Sequence, residues 1–329
     1  MTYVKYAVRI ILTTLLLAWL ATQVDLRSVG AVIAEANPAW LVAGAFVNFL
    51  SIVCAAWRWQ QLLIAMGFHF PLLQLLRLVL SGAFFNMFLP SSVGGDVMKM
   101  VLIAPELERR EAAISSVLMD RVVGLAVTVL VGLVAVLLLP SVWGDVGLLA
   151  SLGVALLAFS AGAIALFSRR LVELAGRLAP GFLWRRVGPT VLRVHESLLM
   201  VAHRPEFLAR AAGISVLRQI AICLSVYFAG MGFGLPLGPV AYFATVPIAV
   251  AFTALPVAIN GLGLQDNAFV FLLGFVGITA AQALSLSLYL HALRNGIGLC
   301  GGVVFALTRG QGSVAAQPAE QPAEAEIRP

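Results

Sequence analysis

The feature that most constrains this chain is its series of apolar runs, each as long as a membrane is thick. Crossing a hydrocarbon core takes about 20 mostly apolar residues in a helix. Runs of that kind lie at about 7–24, 39–57, 112–139, 147–167, 211–234 and 284–307. Of the 329 residues, 61% are hydrophobic and only 11% charged, and the mean hydropathy is +1.00. Spread over a water-soluble fold, that composition would leave large apolar patches facing water. It excludes a soluble enzyme, a nucleic-acid-binding module and a disordered chain. The expected fold is an all-α polytopic integral membrane protein with about 6–8 transmembrane helices, its membrane domain spanning 1–309 and a disordered tail 310–329 rich in Ala, Pro, Gln and Glu. The run at 7–24 follows Lys5 and Arg9 and resembles a signal peptide at first sight. Its length and the lack of an A-x-A cleavage site before Asp25 predict a retained first span. Cys54, Cys223 and Cys300 share no disulfide or zinc spacing, and no cofactor is expected.

Two regions interrupt the pattern. In 72–104 the apolar stretch is broken at Asn86, Pro90 and Gly94-Gly95-Asp96; in 240–280 it is broken at Pro247, Pro256 and Asn260-Gly261-Leu262-Gly263. Each predicts a broken helical hairpin, either re-entrant or crossing fully. The positive-inside rule sets the orientation. Eight arginines (169, 170, 177, 185, 186, 193, 204 and 210) fall within 168–210 against three glutamates. That loop is therefore expected to be cytoplasmic, as are the N- and C-termini. The hairpins then enter from opposite faces, the pattern of an inverted-repeat transporter. Residues 189–203 are expected to form an amphipathic interfacial helix. All six tryptophans lie near expected span ends or in loops, as an aromatic belt would place them.

Charges at membrane depth cost about 2.5–3.5 kcal/mol each on insertion scales, so they persist where paired or facing a wet cavity. Eight are candidates: the cations Arg58, Lys99, Arg121, Arg218 and Arg294, and the acids Asp96, Asp120 and Asp266. Even if every acid pairs, two cations are left over, and a phosphate or carboxylate headgroup is the natural counter-ion. Arg58, between two tryptophans, either snorkels to the interface or serves the site. Asp120-Arg121 is either a structural ion pair or part of the site. His291 lies on the same helix face as Arg294. In Leu89-Pro90-Ser91-Ser92-Val93-Gly94-Gly95-Asp96, proline ends one helix, and Asp96 is expected to cap the next. The design recurs from Pro256 through Asn260, Gly261 and Gly263 to Asp266. Non-helical backbone at such depth must be buried in protein or face water, so the breaks predict a polar cavity between them.

These elements together resemble the lysylphosphatidylglycerol synthase transmembrane family, also called the flippase-like domain. The resemblance rests on Phe84-Phe85-Asn86, Leu89-Pro90, Gly94-Gly95-Asp96, Ala112-Ala113, Asp120-Arg121 with Gly124-Leu125, and Asn260-Gly261-Leu262-Gly263, and covers about 5–308. It implies movement of a lipid between leaflets: an aminoacylated phospholipid in the best-understood members, hopanoid lipids or polyprenyl-linked sugars in others. Two positions depart from the family pattern. Lys99 stands for an arginine, and Gln265-Asp266 stands for Arg-Glu. The forked donor is lost at 99 and a positive charge at 265. The soluble aminoacyl-transferase domain of the synthases is not expected here, so neither is its activity.

Three functions compete on this reading: a flippase for an anionic or phosphate-bearing lipid, a non-catalytic membrane partner of a separate glycosyltransferase or lipid synthase, and a membrane-embedded headgroup enzyme. The chain has no G-x-x-x-x-G-K-[ST], G-x-S-x-G or H-E-x-x-H motif. Flipping without an ATPase is therefore expected, in the cytoplasmic membrane. The substrate-binding candidates are Arg58, Asn86, Gly94, Gly95, Asp96, Lys99, Asp120, Arg121, Arg218, Asn260, Gly261, Gly263, Asp266 and Arg294. The Gly230/Gly234 and Gly298/Gly302 pairs suit helix packing, within the chain or in a homo-oligomer.

Overall fold

A computed structural model describes residues 24–88, 94–107, 110–137, 167–178, 181–253 and 262–308, with scattered positions in 14–22 and 153–165 and the pair 317–318. The runs expected at 7–24 and 147–167 fall largely outside these residues, as do Asn260 and Gly261 and most of the tail. Within the tail, Gln317–Pro318 pairs antiparallel with Phe68–His69.

The helices in chain order are α1 Leu26–Ala34, α2 Pro38–Ala65, α3 Leu72–Phe88, α4 Gly94–Ile103, α5 Arg110–Leu137, α6 Arg169–Leu178, α7 Gly181–Ala202, α8 Pro205–Gly232, α9 Pro239–Thr253, α10 Leu264–Gly274 and α11 Ala280–Thr308. Among the described residues four are long and apolar enough to cross a membrane: α2, α5, α8 and α11. Three of the helices, α2, α8 and α9, start with proline, where the missing N–H costs nothing. Asn37 caps α2 by accepting from the Ala39 amide at 3.0 Å. The chain is an all-α, multi-pass membrane protein.

Among the described residues the remaining apolar helices are shorter. At 1.5 Å per residue, α4 is only about 15 Å long and α10 about 17 Å, against about 30 Å of hydrocarbon. α3 packs on α4, and α9 on α10, giving two hairpins. The base of the first hairpin (Phe70, Leu75, Ile103, Leu107) packs with Trp59, Leu63 and Ala112. The same end of the molecule carries α7, whose Leu198 and Val201 pack on Leu62, Met119 and Ala211. The base of the second hairpin (Leu235, Tyr242, Ile278) packs with Ile222, Val226 and Ala229. There the amide of Asn37 donates to the Gly232 carbonyl at 2.8 Å, closing the far ends of α2 and α8. The hairpins therefore enter from opposite ends of the bundle.

The two halves match element by element. α2–α3–α4–α5 have 28, 17, 10 and 28 residues; α8–α9–α10–α11 have 28, 15, 11 and 29. α2 and α8 pack against each other along the middle of the molecule. Each half's last helix packs on the first hairpin helix of the other half: α11 on α3, and α5 on α9. One shift in residue number carries Gly94 to Leu264, Arg110 to Ala280 and Asp96 to Asp266. It also carries Gly132 to Gly302, and these glycines face Pro247 and Ile248 of α9 and Phe84 of α3, respectively. This is the inverted repeat that the opposed hairpins predict.

Three expectations need correction. α2 runs on to Ala65, so Trp59 is not an interfacial residue; it is fully buried and donates to Ser116 Oγ at 3.2 Å. The 189–203 helix does not merely lie at an interface, since its apolar face packs on three helix ends. The Gly298/Gly302 pair packs within the chain, against α3; Gly230 lies under Tyr242; Gly234 is a turn residue at φ +67° with open space around it.

Candidate functional site

The hairpin helices and the four long helices enclose a cavity of about 430 Å³. All five sequence-predicted cations line it: Arg58, Lys99, Arg121, Arg218 and Arg294. Of the acids, only Asp96 and Asp120 do. The lining thus carries three more positive than negative charges, one more than the whole candidate set, because Asp266 is turned away.

The first half builds a closed ion network. Arg58 Nε contacts Asp120 Oδ1 at 2.7 Å, both side chains being under 10% exposed. Snorkelling is therefore excluded for Arg58, which also donates to Ser215 Oγ at 3.3 Å. Its guanidinium lies over Gly124, where a Cβ would meet it at 2.5 Å, so the glycine makes the room. Lys99 Nζ bridges Asp96 at 2.9 Å and Asp120 at 3.8 Å, above the Trp59 ring. Arg121 pairs with the other oxygen of Asp96. Asp96 is thus the third residue of α4 and a partner of two cations, rather than the helix cap expected for it; a charged partner outcompetes a neutral backbone N–H. Gly95 donates its N–H to Asn86 Oδ1 at 2.6 Å, and a side chain there would strike the Gly82 carbonyl. Gly94 is buried at the start of α4 and does not line the cavity.

The second half is built differently. Gly263 (φ +76°) starts α10, and its N–H donates to Asp266 Oδ2 at 2.8 Å. Asp266 Oδ1 accepts from Ser287 and lies 2.9 Å from His291 Nε2. Arg294 donates to Gln265 Oε1. Arg218 makes no ion pair among the described residues, and its Nε is buried without a hydrogen-bond partner. A buried donor left in that state costs about 1–3 kcal/mol or more, because it carries charge. Sequence reasoning did not place Asn48, Ser51, Thr128 or Gln219 here. Thr128 donates to the buried Gln219 at 3.2 Å, and the other two line the cavity. Their signal is weak, since one polar residue per apolar turn is common. Outside the spans, burial pushes the Glu106 carboxyl up from its ordinary value, against a lowering hydrogen bond from Gln74.

The family model for the lysylphosphatidylglycerol synthase TM region matches residues 6–302. The chain belongs to this family. Among curated proteins it is similar to the glycosyltransferase AglD of Haloferax volcanii, 26% identical over 337 residues. That alignment covers 89% of this chain and 53% of the relative, so the chain spans about half of the relative's length. No solved structure matches. The family match runs through both hairpins, and both family departures sit at the cavity: Lys99 in the first-half network, Gln265 beneath Arg294.

Proposed function

We propose that this family member is a lipid flippase that takes the anionic headgroup of a membrane lipid into the cavity while the acyl chains stay in the bilayer. The observation that carries this reading is the excess of cations there, above all the buried, partnerless Nε of Arg218. A phosphate or carboxylate accepts from several guanidinium N–H groups at once. Opposed half-length hairpins give such a site two entrances, one per leaflet, as alternating access requires. The basic α6–α7 end faces the cytoplasm on the positive-inside rule, and the chain resides in the cell membrane. It needs no catalytic step of its own.

The test is reconstitution into vesicles with a fluorescent phosphatidylglycerol and a membrane-impermeant quencher. The protein raises the fraction of label reached in minutes, and Arg218→Gln abolishes the rise. Labelled anionic lipids that stay in their leaflet at every protein density contradict the proposal. A second reading draws support from the named relative: a non-catalytic membrane partner of a separate glycosyltransferase. It predicts no flipping by the isolated protein but altered product formation by a co-purified transferase.

A further inference from the structure

The repeat aligns two ion pairs that differ in one respect. In the first half Asp96 pairs with Arg121, 25 residues on; in the second half Asp266 pairs with His291, also 25 residues on. Each acid is the third residue of its short helix, and each cation sits at the equivalent turn of the long helix that follows. The arginine keeps its charge at any physiological pH. Histidine is the side chain that changes charge near neutrality. We propose that the Asp266–His291 pair is a proton-binding site, coupled through Arg294 to occupation of the cavity by an anionic group. The site stands on the helical geometry; only the coupling to lipid rests on the function proposed above.

The surroundings support a working site rather than a passive hydrogen bond. His291 is 12% exposed and Asp266 4%, so the pair is held almost wholly inside the protein. The Asp266 carboxylate also ties the start of α10 to α11, accepting from the Gly263 N–H and from Ser287. Ionisable neighbours are few: α1 packs on α11 at Leu284, near that helix's start, so Asp25, Arg27 and Glu35 lie away from His291, and the one charged residue of α2 is Arg58, held by Asp120. Asp266 comes from α10, and Arg294 lies one turn along α11. On α3 the sole charged residue, Arg77, lies beyond Leu80, which packs at Gly301, well away from His291. α9 and the tip segment 254–261 carry no charged residue. On α8, Arg218 faces the cavity that Arg294 lines.

The electrostatics then fix the sign of the coupling. Arg294 and His291 stand one turn apart on α11 near the single carboxylate of Asp266, so two positive charges there would repel each other and share its attraction. An anionic headgroup that neutralises Arg294 removes both effects, so a proton binds more readily when the cavity is occupied. By linkage, a proton on His291 and an anion at Arg294 each favour the binding of the other. Proton and anion are bound together.

The experiment is histidine side-chain nuclear magnetic resonance on the full chain in nanodiscs between pH 5 and 9, with the His291 signal assigned by its loss in His291→Gln. His291 is expected to titrate, and Arg294→Gln to move its midpoint up by about one to two pH units. Asp266→Asn moves it down. His291→Arg, which copies the first half, keeps the protein folded and removes the titration. A His291 signal that stays in one state throughout, or the same midpoint in wild type and Arg294→Gln, overturns the proton site. Dihexanoyl phosphatidylglycerol is expected to raise the midpoint in the wild type and not in Arg294→Gln. A shift on Arg294→Gln without a shift on lipid leaves the proton site standing and overturns the coupling. Absence of any lipid-induced change at all in the cavity residues' signals marks the failure as belonging to the flippase reading.

Discussion

The two halves of the molecule share a scaffold and divide its chemistry. In the first half Arg58, Lys99 and Arg121 are held by Asp96 and Asp120. In the second half the shift that carries Pro38 to Pro205 places Arg218 where the first has Ser51, and the shift that carries Arg110 to Ala280 places Arg294 where it has Gly124. All four positions line the cavity. The second-half acid, Asp266, points away to His291. One half therefore keeps its charges satisfied by the protein, and the other presents the Arg218 guanidinium to whatever enters. Asymmetry on a symmetric frame is what a carrier needs if one face is to be structural and the other to hold cargo.

The largest expected effect comes from breaking the closed half. Arg58→Ala strands the buried Asp120 carboxylate with only the longer Lys99 contact, which costs about 3–5 kcal/mol. Thermal unfolding in detergent should show a large fall, and the double variant Arg58→Met/Asp120→Leu should recover most of it without restoring transport. Next is the open half. Arg218→Ser copies the first half's residue and removes a donor that the fold does not use. Stability should hold or rise, while lipid movement falls about 10- to 100-fold, the worth of a charged hydrogen bond. Equal losses of stability in the Arg58 and Arg218 variants would erase the distinction between the halves.

Much of this was legible in the sequence. The apolar runs, the two breaks and the stranded charges converge because hydrocarbon penalises each exception. What was not legible is which charge meets which. Arg58 looked interfacial because the apolar run fades at Trp57, yet α2 continues to Ala65 and carries Arg58 into the bundle. Asp96 looked like a cap because it follows a glycine break; only the crossing of α4 with α5 brings Arg121 to it. The repeat was visible as opposed hairpins but not as an alignment. Its halves share shape through lengths and glycine contacts, with few identities such as Asp96 and Asp266 to mark the register.

Smaller effects sharpen the packing side of the comparison. A Cβ at Gly302 would come within 2.6 Å of the Phe84 ring, whereas at Gly132 the nearest atoms lie at 3.6 Å. Gly302→Ala should therefore cost about 1–3 kcal/mol and Gly132→Ala almost nothing. The smallest effect lies at the base of the first hairpin. The raised Glu106 carboxyl binds its proton more tightly in the folded state. Its contribution is present below the ordinary value of 4.5 and is lost as pH rises through the folded value. Glu106→Gln should thus melt slightly higher than wild type at pH 7 and at the same temperature at pH 4, a modest difference because the group is partly exposed.

The most direct measurement is a high-resolution density map of the protein in nanodiscs made of phosphatidylglycerol. The account predicts a lipid phosphate within hydrogen-bonding distance of the Arg218 and Arg294 guanidinium groups, with its acyl chains passing out between hairpin and long helix. A map with both arginines turned onto protein carboxylates and no lipid density in the cavity would contradict it.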